Sequence, residues 1–363
     1  MSIAKKINER LEEKSRVETT TTSILIERLK EQKESEKQES IKSDEFKYEF
    51  GLYGFDSGLI KKYQKEFKGK KLEEHYNGNI IKNKYGECFA ILNKDVTKIN
   101  ISIPEKAKQK YFSELRIIDG IGEYYEKKLI DEGYKTLNDL VKHYRFGTIT
   151  KEFQELTDKK NGLELFKWLE RRYPKSHQLV FLVSSFYTLK DFIFIDIETL
   201  GLHGHPLFLI GIAYFDKQTI VIEQILARDM DEEAAVLAYL NEKLKKKKVI
   251  GSYNGKSFDI PVIKDRMGYY SVNGYFKHPH FDIYHFSKRA FQDKFIDFKL
   301  TSLENKIFNV VRKDHIPSFL VPDYYNAYLR TKNIGSLVPI IEHNKQDIIS
   351  TVKIFGKIHE LWG

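Results

Sequence analysis

The pattern of hydrophobic and polar residues divides the first part of the chain into two segments of different character. Residues 1–44 are rich in Glu, Lys, Ser and Thr and lack the apolar periodicity of a packed helix, which predicts a charged tail or a frayed helix. Residues 45–110 contain β-branched and aromatic runs, among them NKYGECFAILN. Such runs are typical of short strands, so we predict a small strand-containing module there, of mixed α/β type.

The rest of the chain changes from helical patterns to an alternation of two kinds of segment. Residues 111–175 show helical patterns on both sides of a Gly-Ile-Gly turn and then a basic stretch, FKWLERRYPK, which predict a small helical module and a helical connector. In residues 176–363, apolar runs alternate with amphipathic stretches. This alternation predicts an α/β domain as the last and largest part of the chain.

One apolar run, DFIFIDIETLGL, carries two acids two positions apart, Asp196 and Glu198. Side chains at i and i+2 of a strand lie on the same face, so the two carboxylates should point together while Ile195 and Ile197 face a core. Adjacent buried carboxylates repel each other, and a divalent cation such as Mg²⁺ or Mn²⁺ would offset that repulsion. The alternative is a strand end where both acids simply reach water.

Two later stretches contain further acids, one near a predicted helix start and one on the face of a predicted helix. VIGSYNGKSFDIPVI, residues 249–263, predicts a strand, an Asn-Gly turn and a helix that starts near Asp259. IIEHNKQDIISTVKIFGKIHELW, residues 340–362, has helical spacing, which places His343 and Asp347 on one face of a helix. Each stretch alone also fits an ordinary structural role, namely an acid that complements a helix dipole or a polar helix face.

The order of these motifs carries a resemblance to a known family. D-x-E, N-x-x-x-F-D and H-x-x-x-D follow one another between about residue 190 and residue 363, which resembles the DEDD (DnaQ-type) 3′–5′ exonucleases of the ribonuclease H-like superfamily and is most similar to the YprB-like branch. The resemblance implies a mixed sheet flanked by helices and two divalent cations, Mg²⁺ or Mn²⁺. It also implies four metal-binding catalytic acids, carried over by position as Asp196, Glu198, Asp259 and Asp347.

Two other residues lie close to this set of motifs. His343 stands in the position that Tyr or His occupies in different subfamilies, and it is a candidate general base or water-orienting group. Asp282, in HFDIYHF, is a fifth acid near the set. Because the four-acid set is complete without it, we interpret Asp282 as structural support for the site.

A second resemblance concerns nucleic-acid binding. IIDGIGEYYEKKLIDEGYKTLNDLV, residues 117–141, resembles a helix-hairpin-helix, in which glycines let backbone N–H groups approach a phosphate without reading the base sequence. The alternative is a helix corner that serves protein packing alone. The candidate nucleic-acid contacts, in this segment and in the turn before Asp259, are Gly120, Gly122, Lys127, Asn254 and Lys256.

Composition narrows the function classes. The chain has 363 residues and a formal charge of +9, and a basic balance favours polyanions such as nucleic acid. A single cysteine, Cys88, excludes an intramolecular disulfide and a zinc site built from several cysteines, and it suits the reducing cytoplasm. The apolar runs are shorter than the roughly 18–20 residues that cross a bilayer, so we expect no membrane span.

The sequence leaves several functions open. The leading hypothesis is a metal-dependent DNA exonuclease in repair or DNA processing, with a helicase that feeds it substrate as a candidate partner. An RNA-processing exoribonuclease has the same motifs, because discrimination rests on contacts to the 2′-OH. The same fold also suits a catalytically silent nucleic-acid-binding scaffold and an endonuclease or resolvase. The helix-hairpin-helix resemblance favours DNA.

Overall fold

The computed structural model describes most of the chain, namely residues 57–202, 204–217, 219–312 and 316–363. The predicted tail of residues 1–44 and the first part of the predicted 45–110 module therefore lie outside the described residues. Contacts divide the chain into a unit of residues 1–62 and a unit of residues 63–363. Of the first unit the structure describes only the beginning of a helix, α1 (Ser57–Glu66).

The strands of the described residues are β1 (Gly78–Asn83), β2 (Gly86–Asp95), β3 (Phe192–Thr199), β4 (Leu207–Asp216), β5 (Thr219–Leu226), β6 (Val249–Ser252) and β7 (His280–Asp282). They form one sheet in the order β1-β2-β5-β4-β3-β6-β7. Neighbours from β1 to β3 are antiparallel, while β3, β6 and β7 run parallel to each other. The predicted mixed sheet of an α/β fold is confirmed.

Helices connect and cover these strands. After α1, those of the described residues are α2 (Leu72–His75), α3 (Pro104–Phe112), α4 (Glu123–Asp131), α5 (Leu137–Leu140), α6 (Gly147–Asp158), α7 (Gly162–Arg172), α8 (Gln178–Leu182), α9 (Glu233–Leu244), α10 (Asp259–Tyr269), α11 (Ile283–Ala290), α12 (Leu300–Phe308), α13 (Val321–Thr331) and α14 (Val338–Trp362). Among them, none combines the length and the apolar composition needed to cross a bilayer.

Strand β3 lies inside the sheet and is apolar on both faces, as its sequence predicts. Phe192 and Phe194 face α14, where the ring of Phe355 lies 5.2 and 5.4 Å from their ring centroids. Because side chains alternate along a strand, Ile193 and Ile195 face the other side of the sheet, and both are buried. Aromatic packing thus fixes α14 across the strand that carries the first two acids.

The two faces of the sheet are covered by different helices, as the contacts of strand β5 show. On one face, Gln224 Nε2 donates to the carbonyl oxygen of Ile341 in α14 over 2.7 Å. On the other face, the neighbouring Glu223 accepts from Tyr239 Oη of α9 over 2.7 Å and pairs with Lys243 of the same helix. The prediction of helices on both faces is therefore confirmed.

The hairpin of β1 and β2 extends the sheet beyond β5. Strand β2 pairs antiparallel with β5, so that Ala90 lies opposite Ile225. Residues from Cys88 to Ile91 are buried there, because an apolar run between two paired strands is covered on both faces. The strands of the predicted 45–110 module thus belong to the same sheet as those of the predicted 176–363 domain, while the boundaries themselves stay predictions.

The segment between β2 and β3 is helical, as predicted, and packs onto the sheet region through aromatic side chains. Trp168 of α7 donates from Nε1 to the carbonyl oxygen of Ile117 over 3.0 Å. Phe181 of α8 lies 5.5 Å from Phe355 of α14, measured between ring centroids. Before the Gly-Ile-Gly turn the chain forms a single 3-10 turn, Leu115–Ile117, so the helix on that side is shorter than the pattern predicts.

Candidate active site

The first two acids lie on the face of β3 that α14 covers. Asp196 is half-buried and lies opposite Gly211 of β4, while Glu198 is 8% exposed. The pairing of β3 with β4 shifts register immediately after Glu198. Register shifts of this kind change the direction of a strand and commonly lie beside functional sites. The strand period alone predicts the shared face of the two carboxylates.

The third acid, Asp259, is the first residue of α10 and is buried. The turn before it packs closely, because a Cβ on Gly255 would lie 2.5 Å from Ser252 Oγ and 3.2 Å from Asp259 Oδ2. Only glycine therefore allows this approach of backbone to carboxylate. The predicted strand, Asn-Gly turn and helix start are all present.

The fourth acid, Asp347, lies on α14 one turn after His343. His343 Nε2 is 3.4 Å from Asp347 Oδ2. The other carboxylate oxygen of Asp347 accepts from Nη2 of Arg312, which lies between α12 and α13. Arg312 also forms a two-point ion pair with Glu304 of α12 through Nε and Nη2. Arg312 is not identifiable from the sequence, because no periodic pattern marks a residue outside helices and strands.

The four carboxylates share one electrostatic environment. Burial raises the pKa of both Asp196 and Glu198 well above the usual carboxyl range, and the charges of Asp347 and Asp259 raise each pKa further. Burial also raises the pKa of Asp259 to about 7, against opposing backbone hydrogen bonds, one of them with Ile197. Three segments that are distant in the chain thus bring like charges together in a poorly solvated place.

Asn344 positions Asp196 and was also missed from the sequence. Its Nδ2 donates to Asp196 Oδ2 over 2.8 Å, and its Oδ1 accepts from Gln224 Nε2 over 3.0 Å. Gly211 leaves the room for this contact, since a Cβ there would lie 2.2 Å from Asn344 Oδ1. The available signal was that Asn344 interrupts the buried apolar stripe of α14, where a polar residue needs a hydrogen-bond partner.

Asp282 supports the turn before Asp259, in keeping with the structural interpretation. Its carboxylate accepts from the backbone N–H groups of Asn254 and Lys256, over 2.7 and 3.1 Å. Asn254 has a left-handed φ of 62° and an exposed side chain. Lys256 Nζ lies 3.7 Å from Glu170 of α7. Of the two predicted nucleic-acid contacts in this turn, Asn254 therefore faces solvent and Lys256 already faces an acid.

The Gly-Ile-Gly turn lies outside the carboxylate cluster, in the helical segment. Gly120 adopts φ +87°, which requires glycine, and Gly122 precedes α4 as its N-cap. Lys127 is exposed on α4. Arg172 donates to the carbonyl oxygen of Ile121 over 2.8 Å, so the turn is held against α7. The first turn of α4 carries two acids, Glu123 and Glu126, which weakens the attraction of this helix start for a phosphate.

The donor set fits divalent cations, although the side chains are not arranged as a finished coordination shell. Within the ranges that the structure describes, no three His, Cys, Asp or Glu side chains form a ready metal-binding group. Carboxylate oxygens are the ligands that Mg²⁺ and Mn²⁺ prefer. Burial first and repulsion between the acids second raise the pKa values, and a bound cation would offset both effects. A bound ion would have to share or replace the hydrogen bonds that Asp196 accepts from Asn344 and that Asp347 accepts from Arg312.

Comparison with known proteins finds a family match for the part of the chain that carries these acids. Residues 193–359 match a family model, RNase_H_2, described as RNase_H superfamily. These residues form a ribonuclease H-like domain. All five predicted catalytic residues lie within the domain and are Asp196, Glu198, Asp259, His343 and Asp347. The finer assignment of the ribonuclease H-like domain to the DEDD type and the YprB-like branch stays a prediction.

One similar solved structure is titled "Structure of the family B DNA polymerase from the hyperthermophilic archaeon Pyrobaculum calidifontis". Sequence identity is 16% and the TM-score is 0.36. The match covers 46% of this chain and spans 24% of the polymerase chain. No curated protein matches the sequence.

Proposed function

We propose that the chain is a metal-dependent 3′–5′ exonuclease that hydrolyses DNA phosphodiesters by a two-metal-ion mechanism. The observation that carries the proposal is the meeting of four carboxylates, from three chain segments, at one poorly solvated place in a ribonuclease H-like domain. A carboxylate cluster that repels itself lowers the stability of the fold, so its presence supports a function that needs it.

Asp196, Glu198, Asp259 and Asp347 would hold two divalent cations, Mg²⁺ or Mn²⁺. When bound, such ions neutralise the charge of the phosphate and of the leaving oxygen and make a water nucleophilic at neutral pH. Asn344 keeps the Asp196 carboxylate oriented through its 2.8 Å hydrogen bond. His343, one turn before Asp347, would orient the attacking water or accept its proton, because imidazoles exchange protons near neutral pH.

The preference for DNA rests on the Gly-Ile-Gly turn. Backbone N–H groups at the start of α4, after Gly120 and Gly122, would contact phosphates together with the exposed Lys127. Asn254 would contact the strand near the acids, and Lys256 would exchange its ion pair with Glu170 for a phosphate. The polarity from 3′ to 5′, a role in DNA repair or processing and a helicase that feeds substrate come from the resemblance and belong to the proposal.

A time course with end-labelled nucleic acids tests the activity. Single- and double-stranded DNA and matched RNA would be incubated with Mg²⁺, Mn²⁺ or EDTA, using wild type and Asp259→Asn. We expect 5′-labelled DNA to shorten stepwise from its 3′ end, only with metal and only with wild type. Faster shortening of RNA would instead support an exoribonuclease.

A circular single strand and a metal titration distinguish an exonuclease from an endonuclease and from a silent scaffold. An exonuclease spares the circle because it has no end, whereas cutting of the circle would indicate an endonuclease or resolvase. A nucleic-acid-binding scaffold without catalysis would leave every substrate intact and bind no Mn²⁺ at millimolar concentration in calorimetry.

A further inference from the structure

Arg312 is a buried cation that the proposed mechanism does not use. Its side chain is 9% exposed and contacts two carboxylates at once. Nε and Nη2 bind the carboxylate of Glu304, and Nη2 also donates to Asp347. Glu304 is 1% exposed and accepts a further hydrogen bond from Ser350 of α14. Glu304 therefore anchors Arg312 beside the acid cluster.

Asp347 differs from the other three acids in having this partner. One of its oxygens accepts from Arg312, and the other lies 3.4 Å from His343 Nε2. Within the described residues, Asp196, Glu198 and Asp259 form no ion pair with a lysine or arginine, whereas Asp347 does. Asp347 is thus the one acid of the four whose two carboxylate oxygens both face basic side chains, one the guanidinium and the other the imidazole.

Resting on the proposed function, we propose that Arg312 is a positioning residue that competes with the divalent cations for Asp347 and thereby lowers the metal affinity of the site. A guanidinium and a divalent ion that share one carboxylate repel each other strongly, because the interior screens charge weakly. The side chain of Arg312 orients Asp347 toward the other acids, and its charge opposes ions that bind too tightly to leave.

The contacts of Arg312 allow it to release Asp347 without losing its own partner. Glu304 retains two hydrogen bonds to the guanidinium when the contact with Asp347 is broken, so neither buried charge is left unpaired. The third nitrogen, Nη1, is buried and has no hydrogen-bond partner among the described residues. No hydrogen bond on that edge of the guanidinium therefore resists a small rotation about the Glu304 pair.

Calorimetric titration of the full chain with Mn²⁺ tests the proposal without measuring activity. Arg312→Gln should bind Mn²⁺ about tenfold more tightly than wild type. Glu304→Gln should bind it more weakly, because Arg312 then has Asp347 as its sole anionic partner. Arg312→Lys keeps the charge but loses the forked donors, and its affinity should lie between those of wild type and Arg312→Gln.

A purely structural role for Arg312 predicts the opposite sign. Loss of a structural ion pair would lower both the melting temperature and the Mn²⁺ affinity of Arg312→Gln. Arg266→Gln is the matched control, since Arg266 forms a comparable two-point pair with Glu233 and none with the four acids. It should lower the melting temperature and leave Mn²⁺ affinity unchanged.

The outcomes separate this inference from the proposed function. If wild type binds Mn²⁺ and Asp259→Asn does not, the metal site stands. In that case, equal or weaker Mn²⁺ binding by Arg312→Gln overturns the role of Arg312 alone. If Arg312→Gln does not fold, unchanged Mn²⁺ affinity in Arg312→Lys and Glu304→Gln overturns that role. If neither wild type nor Arg312→Gln binds Mn²⁺, the proposed function and the inference fail together.

Discussion

The buried carboxylates among the described residues are of two kinds, those paired with a cation and those without one. Glu233, at the start of α9, is 1% exposed and fully paired. It accepts from Nε and Nη2 of Arg266, both over 2.7 Å, from Tyr270 Oη over 3.0 Å and from the backbone N–H of Leu207 over 2.9 Å. This carboxylate joins α9, α10 and the beginning of β4.

Asp196, Glu198 and Asp259 lie in the same domain and, within the described residues, form no ion pair with a lysine or arginine, whereas Asp347 pairs with Arg312. Asp196 has one neutral donor, Asn344, and within the described residues Glu198 accepts no hydrogen bond from a neighbouring side chain. Pairing makes a buried carboxylate a structural contact, whereas like charges without pairing cost stability. This difference is what we expect if Glu233 serves the fold and the Asp196 cluster serves the proposed chemistry.

The largest expected effect follows from removing a charge of the unpaired group. Asp196→Asn should lower metal-dependent hydrolysis about 1000-fold or more, because several kcal/mol of transition-state stabilisation by bound ions would be lost. Initial rates on labelled single-stranded DNA measure this loss. Binding of the same DNA, followed by fluorescence anisotropy, should remain within a few fold of wild type. Near-normal cleavage by the variant would remove Asp196 from the mechanism.

Removing the paired carboxylate should instead damage the fold. Glu233→Gln leaves Arg266 with an uncompensated buried charge, and we expect a loss of about 3–5 kcal/mol in the free energy of unfolding. Urea denaturation measures it. In EDTA, Asp196→Asn should cost far less than this. Equal destabilisation by the two variants would contradict the distinction between the two groups.

A smaller effect is expected from the side chain that positions Asp196. Asn344→Ala removes the donor to Asp196 Oδ2, and the affinity for Mn²⁺ should fall about 10–100-fold. Asn241→Ala is a matched control, because Asn241 is also a buried asparagine but bonds to Asn273 and Tyr275. That variant should lose stability and keep its Mn²⁺ affinity. Calorimetry on both variants decides whether Asn344 acts on the metal site.

The last expected effect is a dependence of stability on pH in EDTA. Burial raises the folded-state pKa of Asp259 to about 7 from the usual value of 3.8, so the folded protein holds this proton more tightly than the unfolded chain does. Stability should therefore fall as pH rises from about 4 to about 7. Asp259→Asn should flatten this slope in urea titrations. An equally steep slope in the variant would assign it to other groups.

The set of four acids follows from the family resemblance, and local periodicity adds which of the site residues share a face. The strand period places Asp196 and Glu198 on one face, and the helical period places His343 next to Asp347. Local patterns do not reveal which polar residues become partners of these acids. Asn344 interrupts an apolar stripe of its helix, but only the neighbouring strand shows that its partner is Asp196.

The parts of the fold that were not predicted depend on contacts between distant segments. The pairing of Ala90 with Ile225 places β2 beside β5, and the sequence of neither strand indicates which strand it pairs with. Arg312 reaches Glu304 and Asp347 from an irregular segment, where no repeat of apolar residues marks the direction of a side chain. Such contacts are decided by tertiary packing, which sequence patterns alone describe poorly.

The N-terminal hairpin has a consequence for how the chain can be divided. A fragment that begins at residue 176 would contain all four acids but would lose β2, and β5 would become an edge strand with exposed N–H and C=O groups. Exposed edges of apolar sheets pair readily with other copies and promote aggregation. The β1–β2 hairpin therefore covers the edge of β5 and protects the ribonuclease H-like domain from aggregation through that edge.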